Sequence, residues 1–407
     1  MTSKRYFLLI MILGSLTALG PFSIDMYLPG FPDIARSLHT STENVALSLS
    51  SYFIGISAGQ LLYGPLLDKY GRKPPLYAGL GLYIIASIGC YFSASIQMLI
   101  LLRFVQAVGS CAAGVASIAM VRDIFPVKDN AKVFALLILV LGASPMIAPT
   151  VGGYVTTAFG WQLIFLILTV IAVLITLAVF FFLPESYKAD PSYSLKPKPI
   201  INGFLTVIKT PQFYTYALSG GIAFSGLFAY ISASPLVFME VYKISSKTYG
   251  WVFALLSVGF IGASQVNSFL IRKYKSQQIV NAALIAMVII SAVYVLGSLQ
   301  NVLGLVGTIV MIFLVLCCIG VTSPNTSALA LAPFEKNAGT ASSLLGAFQM
   351  CIGSVVSVGV SLFNSQSSLP MSVIMLGASS VALLVLIIGR KNIKGSTAAK
   401  NGAFAAH

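Results

Sequence analysis

The stretch GPLLDKYGRK, residues 64–73, lies between two long apolar segments of the sequence. Each segment contains about 20 mostly apolar residues, the length that crosses the hydrocarbon core of a bilayer. Gly71 is typical of a tight turn, and it separates Asp68 from the oppositely charged Arg72. The stretch predicts a turn between two membrane spans, with Asp123 of VRDIF as a candidate partner for Arg72. A charged turn without further function is the plain alternative.

The composition excludes an ordinary soluble domain. Charged residues make up 8% of the 407 positions and hydrophobic residues 57%, whereas soluble domains have about 25% charged residues. The bilayer must therefore act as solvent for most of the chain. The net charge of +14 is better explained by loops beside anionic lipid than by nucleic-acid binding.

Twelve apolar segments predict twelve transmembrane helices and an all-α membrane protein. An even number of spans places both termini on one side of the membrane. Most of the 24 Lys and Arg residues then fall in the loops on the side of the termini, which predicts that both termini are cytoplasmic. The predicted spans are 6–30, 45–66, 75–93, 98–120, 133–154, 161–183, 211–238, 248–271, 278–298, 303–331, 339–362 and 370–389.

The spans divide into two groups of six that echo each other. Residues 1–183 form the first half, 184–210 a polar cytoplasmic linker, and 211–407 the second half with a short tail. Matching loops repeat at a common offset: LLDKY at 66–70 returns as LIRKY at 270–274, and PVKDNA at 126–131 returns as PFEKNA at 333–338. This repetition indicates two pseudo-repeated halves.

An aspartate interrupts the first predicted span, in LGPFSIDMYLPG at 19–30. An ionised carboxylate near the bilayer centre costs at least about 2.5–3.5 kcal/mol, so Asp25 is a candidate proton-binding group. A structural carboxylate held by an ion pair or by water is the alternative. Phe22, Met26 and Tyr27 are candidates to line a substrate cavity beside it.

An arginine lies in the fourth predicted span, in LLRFVQAVGSCAAG at 101–114. Counting about 1.5 Å of rise per residue, Arg103 and Asp25 fall at similar depth, roughly 9–10 Å from the middle of their spans. We therefore expect them to face one cavity, with Gln106 on the same segment. A purely structural ion pair is the alternative.

Small and helix-bending residues mark two further spans. Gly64, at the end of the second span, predicts close helix packing. The fifth span carries GASPMIAPTVGGY at 142–154, which is consistent either with ordinary small-residue packing or with a hinge or seal. Its candidate residues are Pro145, Pro149, Gly152 and Gly153.

Other chemistry finds little support in the sequence. All five cysteines lie in apolar segments, so no disulfide framework is indicated. His39 and His407 lie in an external loop and in the tail, and no GxxxxGK[ST] motif is present. We expect no metal, no cofactor and no enzymatic activity.

Taken together, these motifs resemble the major facilitator superfamily over essentially the whole chain. In that family, GPLLDKYGRK is similar to the signature loop between spans two and three, and the resemblance implies a cytoplasmic gating network of Gly64, Asp68, Gly71, Arg72 and Asp123. The segment around Arg103, Gln106 and Gly109 resembles the span-four motif of proton-driven members. Pro149, Gly152 and Gly153 resemble the span-five motif of antiporters.

A narrower resemblance is to the bicyclomycin- and chloramphenicol-resistance (Bcr/CflA-type) drug:proton antiporters. It rests on DMYLP at 25–29, on LPES at 183–186, and on Ala107 and Ala148 where the broad family has glycine. The resemblance implies a proton-coupled antiporter that exports small, largely apolar compounds by alternating access, with Asp25 and Arg103 as proton-coupling residues. We expect a monomer in the lipid bilayer, driven by protons and not by a cofactor. A proton-coupled nutrient symporter of this fold and a non-transporting membrane protein remain the alternatives.

Overall fold

The computed structural model describes residues 3–187, 189, 197–334, 338–363 and 367–404, and these residues form helices joined by short loops. A 3₁₀ turn at Leu28–Gly30 and a π-helical segment at Leu236–Val241 accompany the α-helices. The α-helices are α1 Ser3–Asp25, α2 Phe31–Ser37, α3 Thr42–Tyr70, α4 Lys73–Tyr91, α5 Ile96–Ile124, α6 Val127–Phe159, α7 Gln162–Phe182, α8 Pro197–Ile208, α9 Pro211–Pro235, α10 Ser246–Leu270, α11 Ser276–Leu299, α12 Gly304–Leu331, α13 Ala338–Ser361 and α14 Leu369–Phe404.

Twelve stretches of helix in the described residues are long and apolar enough to cross a membrane. The first combines α1 and α2 over Lys4–Ser37, the fifth is the Leu139–Phe159 part of α6, and the seventh joins α9 to the π-helical segment over Pro211–Val241. The prediction of an all-helical protein with twelve spans is confirmed.

The first span is not one continuous helix. α1 ends at Asp25, a 3₁₀ turn follows at Leu28–Gly30, and α2 continues to Ser37. Pro29 and Pro32 follow the break, and because proline lacks a backbone N–H, neither residue can donate the bond that would continue α1. The predicted end of this span near residue 30 was therefore wrong, because α2 extends it.

The predicted linker contains a helix. α8 occupies Pro197–Ile208 within residues 184–210. Its Val207 side chain is buried, whereas Ile201 and Leu205 are exposed. One side of α8 is thus packed against protein, and a separate apolar strip is left uncovered.

The helices group into two compact units. Unit 1 comprises Met1–Leu195, Ile231–Ser257 and Ser357–Gln366, and unit 2 comprises Lys196–Tyr230, Val258–Val356 and Ser367–His407. The division passes through α9, α10 and α13, so unit 1 includes parts of the second predicted half. The duplication of two six-span halves stays a prediction.

Glycines bring α5 close to its neighbours in unit 1. A Cβ atom added at Gly79 of α4 would lie 2.2 Å from the Ala112 Cβ, and one added at Gly109 of α5 would lie 2.6 Å from the Tyr83 backbone nitrogen. On the other side, a Cβ added at Gly55 of α3 would meet the Phe104 carbonyl at 2.6 Å. Helix backbones can approach this closely only where side chains are absent. α5 is consequently buried between α3 and α4.

We predict that Gly109→Val destabilises the protein, because the added side chain would push α5 away from α4. Overpacking of this kind costs about 1–3 kcal/mol, which should lower the melting temperature in detergent by several degrees. Gly114→Val is the matched control on the same helix, since a Cβ added at Gly114 meets no atom within 4 Å. Equal melting temperatures for the two variants would contradict the packing.

Candidate functional site

Arg103 lies at the centre of unit 1 and is completely buried. Its guanidinium carbon is 4.2 Å from the centres of the Tyr27 and Tyr52 rings and 5.8 Å from that of Phe165. Aromatic faces attract cations, and each desolvated contact contributes up to about 2 kcal/mol. The turn after α1, helix α3 and helix α7 thus each supply a ring to the cation carried by α5.

Hydrogen bonds fix the same guanidinium group. Arg103 Nη1 donates to Gln106 Oε1 at 2.6 Å, and Nη2 donates to the Ser23 carbonyl at 2.8 Å. Gln106 Nε2 in turn donates to Ser87 Oγ at 2.7 Å, and Ser23 Oγ lies 2.7 Å from the Tyr83 hydroxyl. The network joins α1, α4 and α5 around one buried charge.

Arg103 has no counter-ion among the described residues. Their three ion pairs are Arg36 with Asp33, Arg72 with Asp68 and Arg72 with Asp123. Within the same residues, Arg103 Nε is buried without a hydrogen-bond partner. Rings, an amide and a backbone carbonyl compensate the charge, which leaves a cation with one guanidinium nitrogen, Nε, that lacks an acceptor.

Asp25 ends α1 and is buried, with 4% of its surface exposed. It takes part in none of the ion pairs found in the described chain. The expected ion pair with Arg103 is therefore absent from the described residues.

The structure does not pair the two residues predicted to couple protons. Arg103 contacts α1 through the Ser23 carbonyl and the Tyr27 ring, which flank Asp25 in the sequence. No ion pair within 4.0 Å links Asp25 to Arg103 in the described residues. Arg103 thus binds the backbone carbonyl two residues before Asp25 and the aromatic ring two residues after it, without neutralising Asp25.

The predicted cavity residues occupy different positions. Tyr27 is buried, stacks on Arg103, and places its hydroxyl 3.3 Å from Ser48 Oγ. Met26 is buried, whereas Phe22 is only half-buried. Their role in lining a substrate cavity stays a prediction.

The glycines of the span-five motif bring α6 against both α1 and α10. A Cβ atom added at Gly152 would lie 1.9 Å from the Met26 carbonyl oxygen, and one added at Gly153 would lie 2.5 Å from the Ser246 carbonyl oxygen. Thr150 Oγ1 donates to the Gly250 carbonyl at 3.3 Å. The motif forms a tight three-helix contact directly beside Asp25, and its role as a hinge or seal stays a prediction.

Polar contacts surround this three-helix contact within unit 1. Thr42 at the start of α3 is hydrogen-bonded to the Glu240 carboxylate. Ser357 Oγ lies 2.6 Å from Ser50 Oγ and 2.7 Å from Ser232 Oγ. These contacts lie away from the Arg72 turn, because α3 begins at residue 42 and reaches that turn only after 29 residues of helix.

Arg72 is the centre of a second charged cluster, at the other end of α3. Its guanidinium donates at 2.8 Å to Asp68 Oδ1 and at 2.8 Å to Asp123 Oδ2, and it stacks 4.2 Å from the centre of the Tyr187 ring. Burial alone would lower the pKa of Arg72, but the hydrogen bonds and charges of Asp123 and Asp68 outweigh it and raise that pKa. The cluster ties α3, α4 and α5 to the segment after α7.

Two glycines of this motif behave differently. Gly71 has φ +85°, a conformation that favours glycine, and a Cβ atom there would lie 3.2 Å from the Tyr187 carbonyl oxygen. A Cβ atom added at Gly64 meets no atom within 4 Å. The expectation that Gly64 serves close helix packing is therefore wrong for this structure, because no neighbouring helix approaches it.

Sequence reasoning missed several residues of both clusters. Glu185 accepts hydrogen bonds from the backbone nitrogens of Arg72 and Lys73, both at 2.9 Å. LPES at 183–186 served only to support the family resemblance. Its acid, Glu185 at the end of a span, could also have indicated a partner for the charged turn. Nothing in the sequence indicated that Tyr52 and Phe165 would lie over the Arg103 guanidinium group.

Metal chemistry has no obvious place in the described chain. No group of three His, Cys, Asp or Glu side chains in those residues could hold an ion. That the protein works without a cofactor stays a prediction.

The fold and these buried charges define a polytopic membrane transporter, and comparison with known proteins supplies the family. The family model described as Major Facilitator Superfamily matches residues 13–358. The chain belongs to this superfamily. It is consequently a multi-pass membrane protein of bacterial type and a secondary transporter of small molecules, and not an enzyme.

Three relatives are similar over nearly their whole length. An uncharacterized MFS-type transporter, YdgK of Bacillus subtilis, is 33% identical over 92% of this chain and 93% of its own. A bicyclomycin resistance protein homolog of Haemophilus influenzae is 31% identical over 90% of this chain and 92% of its own. A chloramphenicol resistance protein of Pseudomonas aeruginosa is 28% identical over 95% of this chain and 91% of its own. The resemblance to drug-resistance transporters is confirmed.

A solved structure supports the fold. The crystal structure of a bacterial homolog to the human lysosomal transporter Spinster superposes with a TM-score of 0.70 over 96% of both chains, at 14% identity. The predicted major facilitator fold is confirmed.

We predict that Arg103→Lys lowers stability although it keeps the charge. Lysine lacks the planar fork that stacks between two rings and donates to two acceptors, so about 1–3 kcal/mol should be lost. Thermal unfolding in detergent should show a clear decrease in melting temperature. Arg122→Lys, an exposed change on the same helix, is the control, and an equal decrease there would contradict the role given to the rings.

Proposed function

We propose that this transporter exports small, largely apolar compounds in exchange for protons, by alternating access of a central site. The observation that carries the proposal is Asp25: a buried carboxyl group at a break in the first span, without an ion-pair partner in the described residues. A carboxyl group placed in this way is suited to binding a proton in one state and releasing it in another.

The absence of a fixed counter-ion near Asp25 matters for the exchange. An ionised carboxylate buried in apolar surroundings is costly unless it is paired. Asp25 would therefore be neutral when enclosed and ionised when water reaches it. A permanent ion pair with Arg103 would keep it ionised in both states, so the observed separation supports a cycling proton.

Arg103 would link the proton site to the rest of the first half. It holds the Ser23 carbonyl and stacks on Tyr27, the residues on either side of Asp25. A change in the charge of Asp25 would shift these contacts, and the hydrogen-bond network of Arg103 would pass the shift on to α4 and α5. Its unused Nε donor is also suited to a polar group of a substrate.

The seal of α6 against α1 and α10 provides the step that must open. It lies beside Asp25, and it depends on backbone contacts that tolerate no side chain at Gly152 or Gly153. Protonation of Asp25 from one side, followed by loosening of this seal, would couple proton entry to substrate exit. The Arg72 cluster would restrain the opposite end.

The names of the relatives favour export over uptake. The Haemophilus influenzae protein is named for bicyclomycin resistance and the Pseudomonas aeruginosa protein for chloramphenicol resistance. Export of such compounds fits a site built from aromatic rings and few charges. Protons supply enough energy without nucleotide, since one charge crossing 100 mV releases about 2.3 kcal/mol.

We further propose a monomer in the bacterial inner membrane with both termini in the cytoplasm. The distribution of Lys and Arg between loops supports this orientation. No cofactor is needed in this scheme.

The test is transport in inside-out membrane vesicles with an imposed pH gradient, using chloramphenicol and bicyclomycin as first probes. Wild-type vesicles should release protons when substrate is added, as reported by a pH-sensitive dye. Asp25→Asn should reduce this response at least tenfold, because the amide cannot carry a proton. Asp33→Asn, which removes an acid paired with exposed Arg36 in the same span, should retain it within about twofold.

A response that survives in Asp25→Asn would move the coupling site elsewhere. Substrate uptake by intact cells together with protons would instead support a symporter of the same fold. Absence of both transport and proton movement for a broad panel of compounds would contradict proton-coupled export of such compounds.

A further inference from the structure

An apolar groove of about 860 Å³ runs along unit 2 between α10, α11 and α12. Carbon atoms form almost all of its wall, with Val258, Val266, Ala283 and Phe313 among the lining side chains. Its few polar groups are Tyr274 and Gln278 at one end and the thiols of Cys317 and Cys318. The groove belongs neither to the Asp25 site nor to the Arg72 cluster.

Small residues leave this space open. Gly259, Gly262, Ala282, Ala283 and Ala286 face it. Buried water needs two to four polar partners each, and most of this wall offers none. Inside a membrane, such a groove is filled by hydrocarbon.

A basic pocket of about 530 Å³ adjoins the groove where α10 ends and α11 begins. Arg272, Lys273 and Lys275 line it, and Tyr274 lines both spaces. Arg390 of α14 reaches the same loop, where its guanidinium donates to the Gln277 carbonyl at 2.7 Å. A strongly positive pocket thus continues an apolar groove.

Acidic side chains of the described residues do not neutralise the charge of this pocket. None of the ion pairs in the described chain involves Arg272, Lys273 or Lys275. After Glu240 the sequence has one acidic residue, Glu335, which lies outside the described residues. The pocket is therefore suited to an anion supplied from outside the protein.

We propose that groove and pocket together bind one anionic phospholipid. Its phosphate-bearing headgroup lies between Arg272, Lys273 and Lys275, and an acyl chain of the same lipid extends along the groove past Ala283 and Phe313. Two properties of the site select this class of ligand: the positive charge requires an anion, and the carbon-lined groove requires a hydrocarbon chain attached to it. Basic pockets between membrane helices bind anionic lipid headgroups in this manner.

Neither part of the ligand satisfies the site by itself. A free phosphate would leave the groove empty, and a neutral apolar compound would leave three positive charges unpaired. The whole phospholipid is therefore the occupant, which makes the inference independent of the proposed export and of Asp25.

The test measures lipid binding to the delipidated full-length protein by native mass spectrometry. Phosphatidylglycerol is the anionic probe, phosphatidylethanolamine the zwitterionic one, and glycerol 3-phosphate the soluble headgroup. We expect one tightly bound phosphatidylglycerol per chain, with weaker phosphatidylethanolamine binding and no displacement by glycerol 3-phosphate. Arg272→Gln/Lys273→Gln should weaken phosphatidylglycerol binding roughly 25-fold, since each basic group near an anionic lipid contributes a factor of about five.

Two further variants separate this site from general charge effects. Lys209→Gln/Lys243→Gln removes the same charge from exposed positions elsewhere and should leave binding within about twofold. Ala283→Trp fills the groove and should also abolish tight binding. Arg272→Gln/Lys273→Gln changes only exposed side chains, so it tests the site even if Ala283→Trp fails to fold.

The proposal is overturned if both lipids bind equally, or if tight binding survives in Arg272→Gln/Lys273→Gln. Displacement of the lipid by glycerol 3-phosphate would likewise overturn it, in favour of a soluble phosphate site. If the Lys209→Gln/Lys243→Gln control loses as much binding as Arg272→Gln/Lys273→Gln, the lipid binding is a non-specific effect of charge and the proposed site is wrong.

Discussion

A buried cation without a carboxylate partner in the described residues is the constraint on which the first six spans depend. Arg103 is enclosed in the middle of a membrane protein, where an uncompensated charge costs at least about 2.5–3.5 kcal/mol. Two tyrosine rings at 4.2 Å, an amide and the Ser23 carbonyl compensate it together. Because these groups come from α1, α3 and α5, the charge determines how the three helices are arranged. It also leaves Asp25 free of a fixed counter-ion.

Glycines make this arrangement possible. Gly55, Gly79 and Gly109 let α3 and α4 come close enough to α5 to surround Arg103, and Gly152 lets α6 close against the end of α1 beside Asp25. Asp25 and the three-helix contact at Gly152 and Gly153 thus share one element, the broken first span. Movement of that element would change the surroundings of Asp25 and this contact at the same time, as the proposed antiport requires.

The sequence predicted the parts of this structure that local patterns determine. Span lengths followed from apolar runs, and the charged turn after the second span indicated Asp123 as a partner of Arg72, a contact that the structure shows. Contacts between distant elements were harder. Depth counting placed Asp25 and Arg103 at one level, but depth does not give the direction of a side chain around its helix, and the partners of Arg103 turned out to be aromatic rings, an amide and a backbone carbonyl. The break after Asp25 was readable from Pro29 and Pro32, whereas the open space at Gly64 depends on where a neighbouring helix lies.

The proposed mechanism requires that the Asp25 carboxyl group change its protonation during transport. Infrared difference spectroscopy of the purified protein, recorded on addition of a transported compound, tests this directly. We predict loss of a carboxylic-acid C=O band and gain of carboxylate bands in the wild type and in Asp33→Asn, and neither change in Asp25→Asn. A carboxylic-acid band that responds to substrate equally in Asp25→Asn would contradict the account, because another group would then carry the proton.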